Sequence, residues 1–505
     1  MVFEKLEPKI VWHIFEYVIS STPRPSKHEE KIREKLKTWL NEQDKEKSLN
    51  LTINEDNVGN IFIKKPPIKG MEDVPSLLLQ AHMDMVCETD RTDGFDFFTQ
   101  GIPVRIQENG EWVDAKGTTL GADDGIGMAL ALAILVDIES NISHGPLEVL
   151  FTVNEEDGFT GATGLDVNKL GIESKFMINL DSGALGEITI GSVGGRRVHF
   201  TKKLIWSNME NLESYRLTVS GLLGGHSGGD INTPRANANK LISRLISALN
   251  ANHDLFINSW IGGTKSNAIP RKSVLDFAIK PEDSEKFEEI INKEISILFD
   301  YYKKESKTIK NFEPNLEINL SPISVAKFLS AADSQNLVSL VNLIPNGVLR
   351  QSFVHENFVE SSTNIGIINI HEEQVEIWIY PRSIYRNELH AFCRSMEQLG
   401  FLTNWDVKFR PILAEWNPDM DSKFLQFIKA EYENVYGNPV SMEPTHGGLE
   451  TATIREKIPG LEMVAIFPTC ADNHSPSERL KISDVKVIYD ILKNILANFK
   501  SVQDS

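Results

Sequence analysis

Four stretches constrain this chain most, because they are apolar on both faces and end in groups that ionise. Ser76-Leu-Leu-Leu-Gln-Ala-His-Met-Asp84 stops in an imidazole and a carboxylate. Leu147-Glu-Val-Leu-Phe-Thr-Val-Asn-Glu-Glu156 and Lys175-Phe-Met-Ile-Asn-Leu-Asp181 have the same form, and Glu462-Met-Val-Ala-Ile-Phe467 leads through Pro468 to His474. A strand that is apolar on both sides must be covered on both sides, the situation of central strands in a parallel sheet flanked by helices. In open sheets of that kind, polar groups at the carboxyl ends of the strands share one crevice. The pattern predicts an α/β fold in which four strand ends converge.

Between the first two strands lies Gly117-Thr-Thr-Leu-Gly-Ala-Asp-Asp-Gly-Ile-Gly127, followed by the apolar run 128–136. Glycines at 121, 125 and 127 let the backbone turn sharply and leave Asp123 and Asp124 near the N-terminus of a buried helix. Taken alone, the pair reads as an acidic helix cap. The four acidic or imidazole strand ends supply a second reading, in which it belongs to the shared site. The run 128–136 is the longest apolar stretch, about half of what a membrane span requires.

Residues 3–20 are expected to form an amphipathic helix ended by Pro23 and Pro25, and Ser26-Lys-His-Glu29 has the pattern of a capping box opening a second helix. The middle of the chain changes texture. Tyr215–Ser220 alternates like a half-exposed strand and runs into Gly224-Gly-His-Ser-Gly228, after which come an amphipathic helix and a further strand and helix to about residue 299. Residues 310–400 read as a second α+β unit, with no detectable sequence repeat, and the chain ends in a helix with Ser483 as its expected N-cap. The expected architecture is α/β with two domains. A catalytic domain with a mixed, mostly parallel sheet flanked by helices comes from residues 1–200 and 403–505, and an α+β lid or dimerisation-type domain is inserted at 201–402.

A net charge of −19 argues against nucleic acid and anionic membrane as partners. Three scattered cysteines, Cys87, Cys393 and Cys470, suit a reducing compartment and no thiolate metal site. No basic segment with a small-residue cleavage site follows the first residues, so the cytoplasm is the expected location.

The chemistry follows from the strand ends. His82 and Asp84 point to the same face of a strand, which suits a metal-bound imidazole oriented by a carboxylate. Glu155 and Glu156 point to opposite faces if their strand continues, so one can bind metal while the other moves protons. Asp123, Asp181 and Glu156, with a bridging hydroxide, balance two divalent cations about 3.5–4 Å apart. His82 and His474 complete a nitrogen and oxygen ligand set that suits zinc, with manganese or cobalt as substitutes. Such ions lower the pKa of the bridging water to about 7 and polarise a carbonyl, while a free carboxylate carries the proton to a leaving amine. That is amide hydrolysis.

With these motifs in this order, the chain resembles the M20 metallopeptidases, most closely the aminoacyl-histidine dipeptidase branch that includes Xaa-His dipeptidase and cytosolic non-specific dipeptidase. The resemblance is carried by Pro25-Ser26 with Glu29, Gln80–Asp84, Thr119–Gly127, Asn154–Glu156, Asn179–Asp181, Gly224–Gly228, Ser266–Arg271, Pro381–Ser383, His446–Glu450 and His474–Pro476. It implies Asp123 as bridging ligand, His82 and Asp181 on one metal, and Glu156 and His474 on the other. It further implies Glu155 as general base and acid, Asp84 as the partner of His82, and a cis peptide after Asp123. His226 resembles the histidine that stabilises the oxyanion, and Asn267, Arg382 and Gly448 resemble residues that hold the substrate's terminal carboxylate.

The implied activity is hydrolysis of dipeptides by a metal-bridging hydroxide, Xaa-His dipeptides such as β-alanyl-histidine included. Other amide hydrolases of the same family, an N-acyl amino acid deacylase or a tripeptidase, are the alternatives, as is a silent relative that binds peptide or metal without turnover. The intact Glu155 argues against silence. The inserted segment is longer than one small lid requires, so its second half is expected to supply substrate contacts or to imitate a dimer partner within one chain. A homodimer is the other arrangement.

Overall fold

Apolar side chains all round residues 126–136 leave that segment only the interior. In the computed structural model, which describes residues 2–250, 253–303, 312–500 and 502, the helix Ala122–Val136 has every residue from Asp124 onward buried. It lies in a core built by Met1–Gly191, Trp416–Pro444 and Leu449–Ser505, the first of two compact units. The sheet of this unit has eight strands in the order Thr52–Glu55, Ile61–Lys65, Leu147–Thr152, Leu77–His82, Phe176–Asn179, Glu462–Ala465, Glu187–Ser192 and Ser441–Thr445. Its centre is parallel: Leu77–His82 pairs in parallel with both neighbours, and Glu462–Ala465 pairs in parallel with Phe176–Asn179. Antiparallel strands Thr52–Glu55 and Ile61–Lys65 close one side. The central strands are buried throughout, as two-sided covering demands.

Local expectations differ from the structure at three helix starts. The first helix begins at Lys9, after Pro8, and continues as a π-helix from Phe15 to Ser20. The second begins at Glu30, because the Ser26 hydroxyl donates to Asp84 Oδ2 (2.7 Å) and Glu29 accepts from Asn154 N (3.1 Å), so neither side chain is spent on capping. The last helix, Ile482–Asn498, has Lys481 at its N-cap, and Ser483 bonds Asp484. Among the described residues no helix is long and apolar enough to cross a membrane.

The second unit, Ser192–Glu415 with Thr445–Gly448, holds an eleven-stranded sheet whose described pairings are antiparallel. The two α+β segments read from the sequence are halves of this one sheet. Glu213–Ser220, helix Ala238–Asn250, Phe256–Gly262, Ser273–Ile279, helix Ser284–Tyr302 and Glu317–Pro322 form one half. Gly194–Lys203, helix Ala331–Leu343, Ile365–Ile370, Gln374–Ile379, helix Arg386–Thr403 and Asp406–Leu413 repeat the same strand order around Gly194–Lys203. The first half is inserted between the first strand and first helix of the second. Pairing of Ile261 with Asn369 and Gly262 with Ile368 joins them, which removes an open edge from each.

Candidate metal centre

Within the first unit the parallel strands bring their terminal side chains together. His82 Nε2 lies 3.0 Å from Asp123 Oδ1 and 3.5 Å from Asp181 Oδ1. His474 Nε2 lies 3.2 Å from Asp123 Oδ2 and 2.9 Å from Glu156 Oε1. Asp123 therefore turns one oxygen toward each imidazole. Glu156 Oε1, although close to His474, is outside hydrogen-bond geometry and is buried without a hydrogen-bond partner. Donor atoms of His82, Asp123 and Asp181, and those of Asp123, Glu156 and His474, lie within 4.8 Å of one another. Ligands around one tetrahedral zinc stand about 3.3 Å apart, so two donor sets sharing Asp123 could each hold a divalent cation.

Glu155 and Glu156 do not split to opposite faces. Their strand stops at Thr152, Asn154 takes a left-handed φ of 50°, and both carboxylates join His82 in a third group of donors. Glu155 is buried, and its carboxylate takes no hydrogen bond among the described residues. Asp84 holds this turn: Oδ1 accepts from Glu155 N (2.9 Å) and Oδ2 from Glu156 N (3.2 Å). His82 Nδ1 faces Asp84 through both the backbone carbonyl (3.2 Å) and Oδ1 (3.3 Å).

A cis peptide joins Asp123 to Asp124. Asp124 does not cap the helix but turns back to accept from His82 N (3.0 Å). Capping falls to Glu478, whose carboxylate accepts from the N–H groups of Leu120, Gly121, Ala122 and Asp123. Below the site, Asn179 donates to Gln80 (2.7 Å), while Gln80 and Thr152 both donate to buried Glu450 at 2.6 Å. Three further charged groups, Arg24, Glu450 and Glu478, support the site from beneath without belonging to the strand-end pattern. Arg24 stands between two prolines, Glu450 after Gly-Gly-Leu and Glu478 four residues beyond His474, and the neighbours of Arg24 and Glu478 are largely half-buried or exposed, so no pattern of residue types marks these charges as buried.

Electrostatics show a surplus of buried negative charge. Burial, together with neighbouring acids, drives Glu155 and Asp124 well above the usual carboxylate range and Asp181 up to about 8. Burial also raises Asp123, but the imidazoles of His474 and His82 outweigh it and hold its pKa low. Burial would lower both imidazoles; Asp181 and Asp123 instead raise His82, and Asp123 and Glu156 raise His474 to about 11. The cluster gathers protons where it lacks other cations.

The remaining candidates lie in the second unit. His226 is exposed on a short strand opposite Ala268, and Ser227 N donates to the carbonyl of Asn267 (2.8 Å). Arg382 is 3% exposed, with Nη2 3.5 Å from His226 Nε2 and its guanidinium 4.3 Å from the centre of the Tyr380 ring. No carboxylate pairs with it among the described residues. Burial, aided by the Arg382 charge, pushes His446 down to about 3, and Ser362 Oγ stands 2.7 Å from its Nε2. Gly448 lies two residues farther along, where a Cβ would meet Leu413 Cδ2 at 2.5 Å.

Residues 78–498 match the model of peptidase family M20/M25/M40. The chain is 36% identical over 496 residues to the cytosol non-specific dipeptidase of Escherichia coli K12, covering 97% of this chain and 98% of that one. It is similar to the crystal structure of aminoacylhistidine dipeptidase from Vibrio alginolyticus, with a TM-score of 0.81, 35% identity, and coverage of 98% and 97% of the two chains. Aminopeptidase PepT of Bacillus cereus, 16% identical with a TM-score of 0.54 and coverage of 98% and 99%, shares the fold.

The raised groups fix the pH response of chelated protein. An unfolded carboxyl titrates near about 4 and an unfolded imidazole near about 6.5. Folded Asp181 titrates at about 8 and His474 at about 11, so both bind more protons folded than unfolded between those limits. Their stabilisation is present at low pH and is lost as pH rises. The thermal midpoint of chelated protein should fall from pH 5 to pH 8, and zinc, which requires unprotonated imidazoles in the folded state alone, should reverse that fall into a rise through about pH 6.5. A midpoint that is flat across this range without metal would contradict the reading.

Proposed function

The chain belongs to peptidase family M20/M25/M40 and is therefore a hydrolase, and from that premise we propose that it is a cytosolic two-zinc dipeptidase whose substrates include Xaa-His dipeptides. The observation that carries this reading is Asp123 set between two imidazole–carboxylate groups with the buried Glu155 beside them. The names of the two relatives that match across the whole chain support the substrate class. His82 and Asp181 would hold one cation and Glu156 and His474 the other, with Asp123 serving both. Manganese or cobalt could serve in place of zinc. When bound, the ions lower the pKa of a water to about 7 and polarise the scissile carbonyl.

The remaining work falls to side chains. Glu155 removes a proton from the attacking water and delivers it to the leaving amine. Asp84 keeps Glu155 and His82 in place, since it accepts from the N–H of one and faces Nδ1 of the other. His226 donates to the oxyanion as the tetrahedral carbon forms. Arg382, with Asn267 and Gly448, holds the substrate's C-terminal carboxylate. A buried guanidinium with no carboxylate partner among the described residues is suited to that task, because its fork binds carboxylate in two-pronged fashion.

Substrate class is tested by adding zinc to chelated enzyme in the presence of β-alanyl-histidine, leucyl-histidine, matched dipeptides without histidine, and N-acetyl amino acids. Zinc should restore cleavage of the dipeptides and leave the N-acetyl compounds intact, and Arg382→Ala should raise KM for every dipeptide. Cleavage of the N-acetyl compounds alone would establish a deacylase instead. For Glu155→Gln, metal content should be retained while kcat falls by at least about 10². Wild-type turnover with full metal content would remove Glu155 from the mechanism.

A further inference from the structure

We infer that Glu478 and Arg24 are positioning residues that clamp the peptide of Gly121 from both sides and thereby set where Asp123 presents its two oxygens. The inference rests on the two-cation reading above. Four successive N–H groups converge on one carboxylate: Glu478 Oε2 accepts from Leu120 N and Gly121 N, each at 2.9 Å, and Oε1 from Ala122 N (2.8 Å) and Asp123 N (3.3 Å). Glu478 is 2% exposed, so without its carboxylate these N–H groups would lose their partner inside the protein, and a buried donor left unpaired is destabilising. The carbonyl of the same Gly121 accepts from Arg24 Nη2, while Arg24 Nη1 donates to the carbonyls of Asp84 (2.8 Å) and Met83 (3.1 Å).

One chain of bonds thus links three separate segments. Glu478 follows His474 by four residues, Gly121 precedes Asp123 by two, and Asp84 follows His82 by two. The clamp dictates the residue at 121: φ is +66°, and a Cβ there would lie 2.6 Å from Arg24 Nη2. It also dictates the clamping groups. A carboxylate offers two oxygens to four donors, whereas an amide would turn an NH₂ against two N–H groups. A guanidinium fork reaches three carbonyls, whereas an ammonium on a flexible stem has no such fixed geometry.

The test compares wild type, Glu478→Gln and Arg24→Lys as full-length protein, chelated and then titrated with zinc against a chromophoric chelator, with parallel cobalt absorption spectra. Glu478→Gln should lose about 10–100-fold in zinc affinity and alter the cobalt spectrum, and Arg24→Lys should change both in the same direction. Variants of lowered thermal midpoint that bind zinc like wild type with an unchanged cobalt spectrum would show a structural role only and overturn the inference. Should Glu478→Gln fail to fold, Arg24→Lys decides by the same criteria. Failure of the wild type itself to bind metal would overturn the two-cation reading and this inference with it.

Discussion

The first unit is organised around a debt of positive charge. Asp123, Asp181, Glu155 and Glu156 meet at the end of a sheet where the surrounding strands are covered on both faces, and Asp123, Asp181 and Glu156 face His82 and His474 at 2.9–3.5 Å. Carboxylates so placed can remain ionised only beside cations. Without metal the deficit is met by protons, which is why the acids and imidazoles both shift upward while Asp123, between the two rings, shifts down. Two divalent ions would satisfy the same deficit and leave the ligands deprotonated.

The rest of the unit holds that arrangement in place. Parallel pairing aligns the strands of His82, Glu155 and Asp181, so their side chains emerge at one end without any long loop having to be ordered. Where the chain leaves the sheet, backbone N–H groups are bound by carboxylates: Asp84 holds those of Glu155 and Glu156, and Glu478 those of residues 120–123. Both acids are buried and bonded; burial raises Asp84, but its partners, His82 foremost, outweigh it and hold its pKa below the usual range, whereas burial outweighs the four N–H groups at Glu478 and pushes it up to about 7. Gly127 shows how tight the junction is, since a Cβ there would sit 2.1 Å from Asp124 Oδ1.

Much of this was legible in the sequence, for a definite reason. A run such as Ser76–Asp84 carries both its burial and its functional terminus in one stretch, so the neighbours His82, Glu156, Asp181 and His474 could be read from strand ends, and Asp123 from the glycine-rich loop between two of those strands. The supporting groups could not. Glu478 and Arg24 act on backbone atoms far away in sequence, and a hydrogen bond to a peptide group leaves no pattern of residue types. Ser26 had the spacing of a capping box yet bonds Asp84, a tertiary contact overriding a local one. The duplicated topology of the second unit was hidden because its halves share strand order without shared sequence, and one is nested inside the other.

The most direct test of the charge account is to add zinc stepwise to chelated enzyme and measure metal bound per chain by mass spectrometry alongside dipeptide hydrolysis. The account predicts that hydrolysis is absent without metal and reaches its plateau at two zinc ions per chain. Full activity in the chelated protein, or a plateau with no metal bound, would contradict it.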